Sequence, residues 1–233
     1  MRGKIERESG AYTQYVSILS SILTLQCALQ RDIEQVLRVT RKTRATIVME
    51  KPIILKQATI AQTRIFKVEQ LHLRFANGVE VQYERLRSSP SGAVLVVPML
   101  DDNTVFLIRE YAAGVHRYEL GLPKGRIEEG EKPVEAANRE IMEEIGYGAR
   151  QLNFLTSYTL APAYLGHVTH VILAEDLYPQ KLAGDEPEEP EVVPWKLTQL
   201  NELFSRADFT EARSIAALYY VRDYMAERRS RKP

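Results

Sequence analysis

Regular alternation of apolar and polar residues begins at about residue 52 of this chain. Segments 65–75 and 79–87 flank Asn77 and Gly78, and an Asn-Gly pair between extended segments is a strong hairpin signal. A continuous apolar run from Ala93 to Leu100 predicts a strand that is buried on both faces. Further strands are predicted at 104–111, 118–120, 152–161, 168–175 and 192–197.

The pattern changes to helical spacing after this first group of strands. A helix is predicted over 133–145, because Pro133 suits a first helical turn and Gly146 would end the helix. Its apolar residues form one stripe that should face the core: Val134, Ala137, Ile141 and Ile145. Two more helices are predicted near 198–206 and 211–228. This order of elements predicts the α/β (α+β) class, with mixed sheets covered by helices.

Charge divides the chain into a basic leader and a mildly acidic body. The 233 residues carry 31 basic and 31 acidic side chains, but residues 1–48 carry eight basic and four acidic ones. We expect 1–48 to be a weakly structured leader or a misassigned start, with translation beginning at Met49. The domains predicted after it are an N-terminal β-hairpin unit over 49–90, a main domain over 91–228 and a tail over 229–233.

The composition also indicates which cellular compartment and which kinds of binding partner to expect. A single cysteine, Cys27, suits a reducing cytoplasm and supports neither a disulfide framework nor a cysteine-based zinc site. The apolar stretch 15–30 is too short and too often interrupted by polar residues to span a membrane. A net charge of zero and the lack of a basic stripe argue against stable nucleic-acid binding.

Three carboxylates crowd one side of the predicted helix 133–145. Glu140 and Glu144 are four residues apart on one flank, and Glu143 lies one step further round. Like charges at this spacing are unfavourable, and acidic residues in a last helical turn oppose the helix dipole. A hard divalent cation such as Mg²⁺ would relieve the repulsion. The alternative interpretation of the helix alone is a solvated acidic face.

The residues before the helix favour the metal interpretation. Gly125 and Gly130 permit a tight loop whose backbone carbonyls approach a cation. Glu131 and Arg139 are spaced to form an ion pair that would hold this loop against the helix. We therefore predict a structural role for that pair and for Gly146.

Residues 125–147 resemble the Nudix box, G-x₅-E-x₇-R-E-U-x-E-E-x-G-U, where U is a bulky apolar residue. Tyr147 departs from the pattern, because an aliphatic residue is commoner there. The resemblance implies an α/β/α sandwich that binds Mg²⁺ or Mn²⁺ through Glu140, Glu143 and Glu144, assisted by a carbonyl of Lys124 or Gly125. The matching positions are Gly125, Glu131, Arg139, Glu140, Ile141, Glu143, Glu144 and Gly146.

Within this superfamily, nearly all of 49–233 is similar to the ADP-ribose pyrophosphatase-like group. The resemblance implies hydrolysis of ADP-containing compounds, such as ADP-ribose, NADH and diadenosine polyphosphates, with AMP as a product. It also implies a homodimer formed with the help of residues 52–87. Pro162, which lies 16 residues after Gly146, agrees with activity on ADP-ribose. The segments that carry this resemblance are YERLR, LIREYA, YELGLPKG, LAPAY, AEDLYP, LAGDEPE and FTEARSIAAL.

The resemblance also implies a general base on a loop before a late strand. The acidic loop 183–191 offers Glu188 as the first choice and Glu186 as the second, with Asp185 and Glu189 beside them. An inert, mobile acidic loop is the alternative.

Residues outside the box should contact the substrate. We expect Arg109 to bind phosphate, with Arg85 or Arg87 behind it, because a guanidinium matches phosphate oxygens in pairs. Tyr111 or Tyr164 could stack on adenine, and Glu119 is predicted as a further substrate contact.

Two other functions remain open at this point. The chain could be a sensor that binds ADP-ribose without cutting it, although such domains usually lose carboxylates that this sequence keeps. It could also be a Nudix enzyme that acts on another nucleoside diphosphate derivative, on a nucleoside triphosphate or on capped RNA.

Overall fold

A computed structural model of the protein describes residues 50–87 and 89–231. The predicted leader over 1–48, and with it Cys27, lies outside the described residues. Ten strands and three α-helices lie within the described ranges, and none of these helices is long and apolar enough to cross a membrane. The strands are β1 (Ile53–Gln62), β2 (Lys67–Arg74), β3 (Glu80–Arg87), β4 (Ala93–Pro98), β5 (Thr104–Ala112), β6 (Arg117–Gly121), β7 (Lys124–Arg126), β8 (Tyr147–Thr159), β9 (Val168–Pro179) and β10 (Glu191–Lys196). The helices are α1 (Pro133–Glu144), α2 (Leu200–Phe204) and α3 (Ala212–Ser230).

The first three strands form an antiparallel sheet in the order β1-β2-β3. The hairpin predicted at Asn77-Gly78 is confirmed: Gly78 has a φ of 82°, and the Asn77 side chain accepts a hydrogen bond from the backbone N–H of Val79. Strand β1 was not predicted as a separate element. Nearly all of its residues are exposed, so its sequence lacks the alternation that marks a half-buried strand.

A four-stranded mixed sheet, β7-β4-β9-β8, separates two helices. Its central strand β4 runs parallel to β9 and antiparallel to β7. Val94 and Val96 pack with the apolar stripe of α1 on one face, whereas Leu95 and Val97 pack with the buried face of α3 on the other. The predicted α/β/α sandwich is therefore confirmed, as is the burial on both faces of β4.

The remaining sheet has the order β10-β5-β6 and carries side chains of the site. Strand β6 is antiparallel to β5, so Tyr111 and Tyr118 are directly paired. Strand β10 lies on the other side of β5, where Glu191 is the partner of Arg109.

Helix α1 begins and ends almost as its sequence predicts. It runs from Pro133 to Glu144, and Gly146 follows it with a φ of 74°. The short strand β7 was not predicted, since three residues cannot display an alternating pattern. Strand β8 begins at Tyr147, five residues earlier than expected, because it continues directly from the helix end.

Candidate active site

The centre of the site is a close contact between α1 and β7. Gly125 pairs with Val94 in the sheet, and a Cβ atom at Gly125 would overlap the carboxylate of Glu140. Glu140 is only 9% exposed, and burial raises its pKa although a hydrogen bond from Arg139 opposes the change. The glycine therefore provides the space in which this carboxylate lies.

Arg139 joins the loop before α1 to the carboxylates on the helix. Its Nε and one terminal nitrogen donate to the two oxygens of Glu131, each at 3.0 Å, which is the predicted ion pair. The other terminal nitrogen lies 2.8 Å from Glu140 and 3.1 Å from Glu143. The Glu131 carboxylate, followed by Glu140, raises the pKa of Arg139, so this cation remains charged among three acidic groups.

Glu144 is the most deeply buried of the three helix carboxylates, with 3% of its surface exposed. It accepts a hydrogen bond of 2.9 Å from the backbone N–H of Lys124. Burial raises its pKa to about 9, although the nearby Lys124 opposes the change. The Lys124 ammonium itself pairs with Glu110 on β5. Burying an ionisable carboxyl in this way is costly, and such groups cluster at functional sites.

Some of these residues line a cleft of about 890 Å³, whereas the more deeply buried Glu144 does not. Its lining includes Glu140, Glu143, Gly125 and Lys124, together with the loop around Gly184, where a Cβ atom would lie 3.8 Å from the Cβ of Glu143. The wall also includes two carboxylates of this loop, Asp185 and Glu186. Burial, followed by the charge of Asp185, raises the pKa of Glu186. Of the two predicted candidate bases, only Glu186 lines this cleft.

The donor set of the cleft fits a hard divalent cation. Three carboxylates lie on one flank of a helix, and one of them fills the space beside a glycine backbone, as oxygen ligation requires. In their present rotamers, no three acidic, histidine or cysteine side chains of residues 50–87 and 89–231 form a metal-ligand set. The reason is visible in the contacts, because Glu140 and Glu143 bond to Arg139 and Glu144 bonds to the Lys124 backbone.

A second cavity, of about 570 Å³, adjoins the cleft and shares Glu186 with it. Two tyrosines on neighbouring strands, Tyr111 and Tyr118, line it and meet edge to face with ring centres 5.8 Å apart. The Tyr118 hydroxyl donates to Glu188, which lines this cavity and not the catalytic cleft. Tyr164, the other predicted adenine contact, lines neither cavity and is exposed.

The predicted phosphate-binding arginines are already engaged in ion pairs. Arg109 donates to Glu191 at 2.8 Å and also pairs with Asp208. Arg85 and Arg87 both bond to Glu69, which is almost fully buried in the N-terminal sheet, and neither lines the catalytic cleft. These acidic partners lie on other strands or in distant parts of the sequence, so local sequence patterns did not predict the ion pairs.

Glu119, which was predicted to contact substrate, instead connects β6 to the start of α3. It bonds to Arg117 at 2.7 Å and accepts hydrogen bonds from the backbone and the hydroxyl of Thr210. It lines neither cavity.

Arg213 is a cation of the catalytic cleft that sequence analysis missed. Its Nε lies 2.6 Å from Glu211, the residue that caps α3, and a terminal nitrogen donates to Thr169 on β9 at 3.2 Å. Arg213 lies in the segment FTEARSIAAL, which the sequence analysis used only for its resemblance to the ADP-ribose pyrophosphatase-like group. No local signal distinguishes Arg213 from other surface arginines, because the cleft forms only when α3 packs against the sheet.

Comparisons with known proteins agree with this geometry. Residues 90–218 match the model of the NUDIX domain, and residues 52–85 match that of the NudE-type Nudix hydrolase N-terminal domain. The chain is 46% identical over 177 residues to the ADP compounds hydrolase NudE of Escherichia coli (strain K12), covering 76% of this chain and 95% of that protein.

Two further similarities cover most of the chain. It is 30% identical to the ADP-ribose pyrophosphatase of Bacillus subtilis (strain 168), covering 72% of this chain and 93% of the relative. A crystal structure of an ADP compounds hydrolase superposes with a TM-score of 0.73 at 45% identity, covering 78% of this chain and 98% of that one.

Proposed function

The chain belongs to the Nudix hydrolase family, and from that premise we propose that it hydrolyses the diphosphate bond of ADP-containing compounds and releases AMP. ADP-ribose, NADH and diadenosine polyphosphates are the proposed substrates. Relatives named as hydrolases of ADP compounds and of ADP-ribose support this substrate class. The observation that carries the proposal is the packing of the Glu140 carboxylate against Gly125 at the wall of the cleft.

Nudix hydrolases generally depend on a divalent metal, and we propose Mg²⁺ here, with Mn²⁺ as a substitute. Glu140, Glu143 and Glu144 would hold it, together with a backbone carbonyl of Lys124 or Gly125. When bound, the cation polarises the diphosphate and makes a water more acidic. Arg139 bonds to two of these carboxylates and to Glu131, so it keeps them at the cleft wall and limits their mutual repulsion.

The other groups of the cleft bind substrate and accept a proton. Glu186 is the proposed general base, since it lines the cleft and burial raises its pKa, as suits a base. Arg213 takes the role first given to Arg109, because it lines the cleft, which Arg109 does not, and is held there by Glu211 and Thr169. Tyr111 offers an aromatic surface to adenine in the adjoining cavity.

We further propose a homodimer in which the N-terminal sheets take part. Strands β1 and β3, and Val79 just before β3, expose several large apolar side chains, and such an area on a protein surface usually marks an interface. A second copy of the chain would cover these apolar side chains. We also propose a cytoplasmic location, which the single cysteine of the chain suits. Light scattering after size exclusion should give twice the mass of the chain, and Ile54→Glu should give monomers. The exposed side chains are Ile53, Ile54, Leu55, Ile60, Val79, Val81 and Tyr83.

Turnover of four substrate classes tests the proposed function. The purified full-length chain is incubated with ADP-ribose, NADH, diadenosine triphosphate or a dNTP mixture, with and without Mg²⁺, and AMP and deoxynucleoside monophosphates are measured. AMP from the ADP compounds alone, and only with metal, is the expected result. Hydrolysis of dNTPs alone would overturn the substrate class. Binding of ADP-ribose without any hydrolysis would identify a sensor instead.

A further inference from the structure

In the structure the acidic loop spans residues 182–190, because β10 begins at Glu191, and it is attached to the fold at both of its ends. At its start, the backbone N–H of Leu182 donates to the carbonyl of Met142 near the end of α1, at 3.0 Å. Beyond its end, Glu191 begins β10 and pairs with Arg109 of β5. The loop therefore spans from the catalytic helix to the sheet β10-β5-β6 and forms part of both cavities.

One contact holds the middle of the acidic loop, between Tyr118 and Glu188. The Tyr118 hydroxyl donates to a carboxylate oxygen of Glu188, and hydrogen bonds to a charged acceptor are stronger than those between neutral groups. This carboxylate raises the pKa of Tyr118, so the hydroxyl remains protonated and able to donate at neutral pH. Tyr118 belongs to β6 and is paired with Tyr111 in the sheet, so it provides a fixed point for the loop.

The chain between this contact and the catalytic cleft is short and stiff. Glu186 precedes Glu188 by two residues, and Pro187 between them has a restricted φ. With one residue between them, the position of Glu188 limits the positions that Glu186 can take. A further side-chain contact of the loop, between Glu189 and Lys181, joins it to the residue just before the loop and not to the sheet.

We propose that Tyr118 is a positioning residue for the general base: its hydrogen bond to Glu188 holds the acidic loop where Glu186 faces the cleft. This inference rests on the proposed function and divides the two candidate carboxylates between two roles. Glu186, which lines the cleft, accepts the proton, and Glu188, which lines only the second cavity, is the attachment point.

The test compares kcat and KM of full-length variants on ADP-ribose with saturating Mg²⁺. Tyr118→Phe removes the donor but keeps the ring, and Glu188→Ala removes the acceptor. Each should lower kcat about three- to tenfold with KM changed less than twofold, and the double variant should be no worse than either single one. Tyr219→Phe, which removes an exposed hydroxyl on α3, is the matched control and should leave both constants unchanged.

The variant Glu186→Gln separates this inference from the proposed function. It should lower kcat about 100-fold or more, and Tyr118→Phe added to it should cause no further loss, because there is no base left to position. Wild-type kcat in Tyr118→Phe, with a large loss in Glu186→Gln, would overturn the role of Tyr118 alone. A far larger loss in Glu188→Ala than in Tyr118→Phe would make Glu188 the base and overturn the division of roles. Wild-type activity in Glu186→Gln would overturn both the base and its positioning.

Discussion

The carboxylate of Glu140 occupies the space in which a Cβ atom of Gly125 would lie. Gly125 is fixed by its pairing with Val94 in the sheet, and Glu140 is fixed by the burial of the apolar stripe of α1 against the same sheet. Because both backbones are held by the core, a Cβ atom at residue 125 would be accommodated by a shift of the Glu140 carboxylate, the end of a flexible side chain. It also brings an acidic side chain against backbone carbonyls at the cleft.

A methyl group at residue 125 should therefore reduce activity without unfolding the protein. Gly125→Ala would displace the Glu140 carboxylate, and we expect kcat/KM to fall about 100-fold or more, since small misplacements of catalytic groups have effects of this size. Steady-state kinetics measures the loss. Gly114→Ala is the control, because a Cβ there meets no atom within 4 Å. Equal activity in the two variants would contradict the importance of the contact.

Glu144 should be essential to turnover but not to folding. Glu144→Gln keeps the shape of the side chain and an acceptor for the Lys124 N–H, but it removes a carboxylate oxygen from the proposed metal site. We expect kcat to fall about 1,000-fold, with weaker Mn²⁺ binding measured by electron paramagnetic resonance. The melting temperature should stay within a few degrees of wild type. Near-wild-type activity would refute the ligand assignment.

Arg213 should contribute to substrate binding through the geometry of its guanidinium. In Arg213→Lys the charge remains, but an ammonium cannot bond to Glu211, Thr169 and a phosphate in the fixed directions of a guanidinium. The expected result is a kcat/KM for ADP-ribose about tenfold lower, mostly through KM. Arg222→Lys lies on the same helix with an exposed partner and serves as the control. Unchanged kinetics in Arg213→Lys would remove it from the site.

Arg139 should stabilise the fold as well as the site. Arg139→Lys loses the paired hydrogen bonds to Glu131 and the bond to the carbonyl of Arg126. Since these contacts are partly buried, we expect the free energy of unfolding to fall by about 1–2 kcal/mol, measured by urea denaturation. Arg231→Lys, whose pair with Glu227 is exposed, should cause no measurable change. Equal stability of the two variants would show that the Glu131 pair has no structural role.

Asp208 should make the free energy of unfolding depend on pH in the acid range. Hydrogen bonds from Arg206, and then from Arg109, hold its pKa well below the ordinary 3.8. A depressed pKa means that the stabilisation is complete above about pH 5 and is lost as the pH falls below about 4, toward the folded-state pKa.

Asp208→Asn should therefore be less stable than wild type by about 1–2 kcal/mol at pH 7, after allowance for solvent screening. The difference should shrink as the pH is lowered from 5 to 3, which urea titrations at several pH values would measure. A difference that is independent of pH would show that the carboxylate charge does not contribute.

Several elements were predictable because their signals are local. Gly78 and Gly146 both adopt the positive φ that their turn and helix-end positions required, and the stripe of α1 is buried as its spacing indicated. The pair Glu131–Arg139 also followed from spacing, since a short loop brings Glu131 close to the helix that carries Arg139. The short strand β7 and the exposed strand β1 were missed because neither has a pattern of alternating burial.

By itself, the sequence determined the helix with its three carboxylates, the hairpin and the family of the fold, because each depends on spacings of a few residues along one element. Only the tertiary structure decided which charges meet. Arg109 is neutralised by residues 82 and 99 positions away, and Arg213 reaches the cleft through the packing of α3. Likewise, Glu186 lines the cleft, whereas Glu188 lines the second cavity and bonds to Tyr118 of a distant strand. Ion pairs of this kind depend on how sheets and helices pack, which local patterns do not encode.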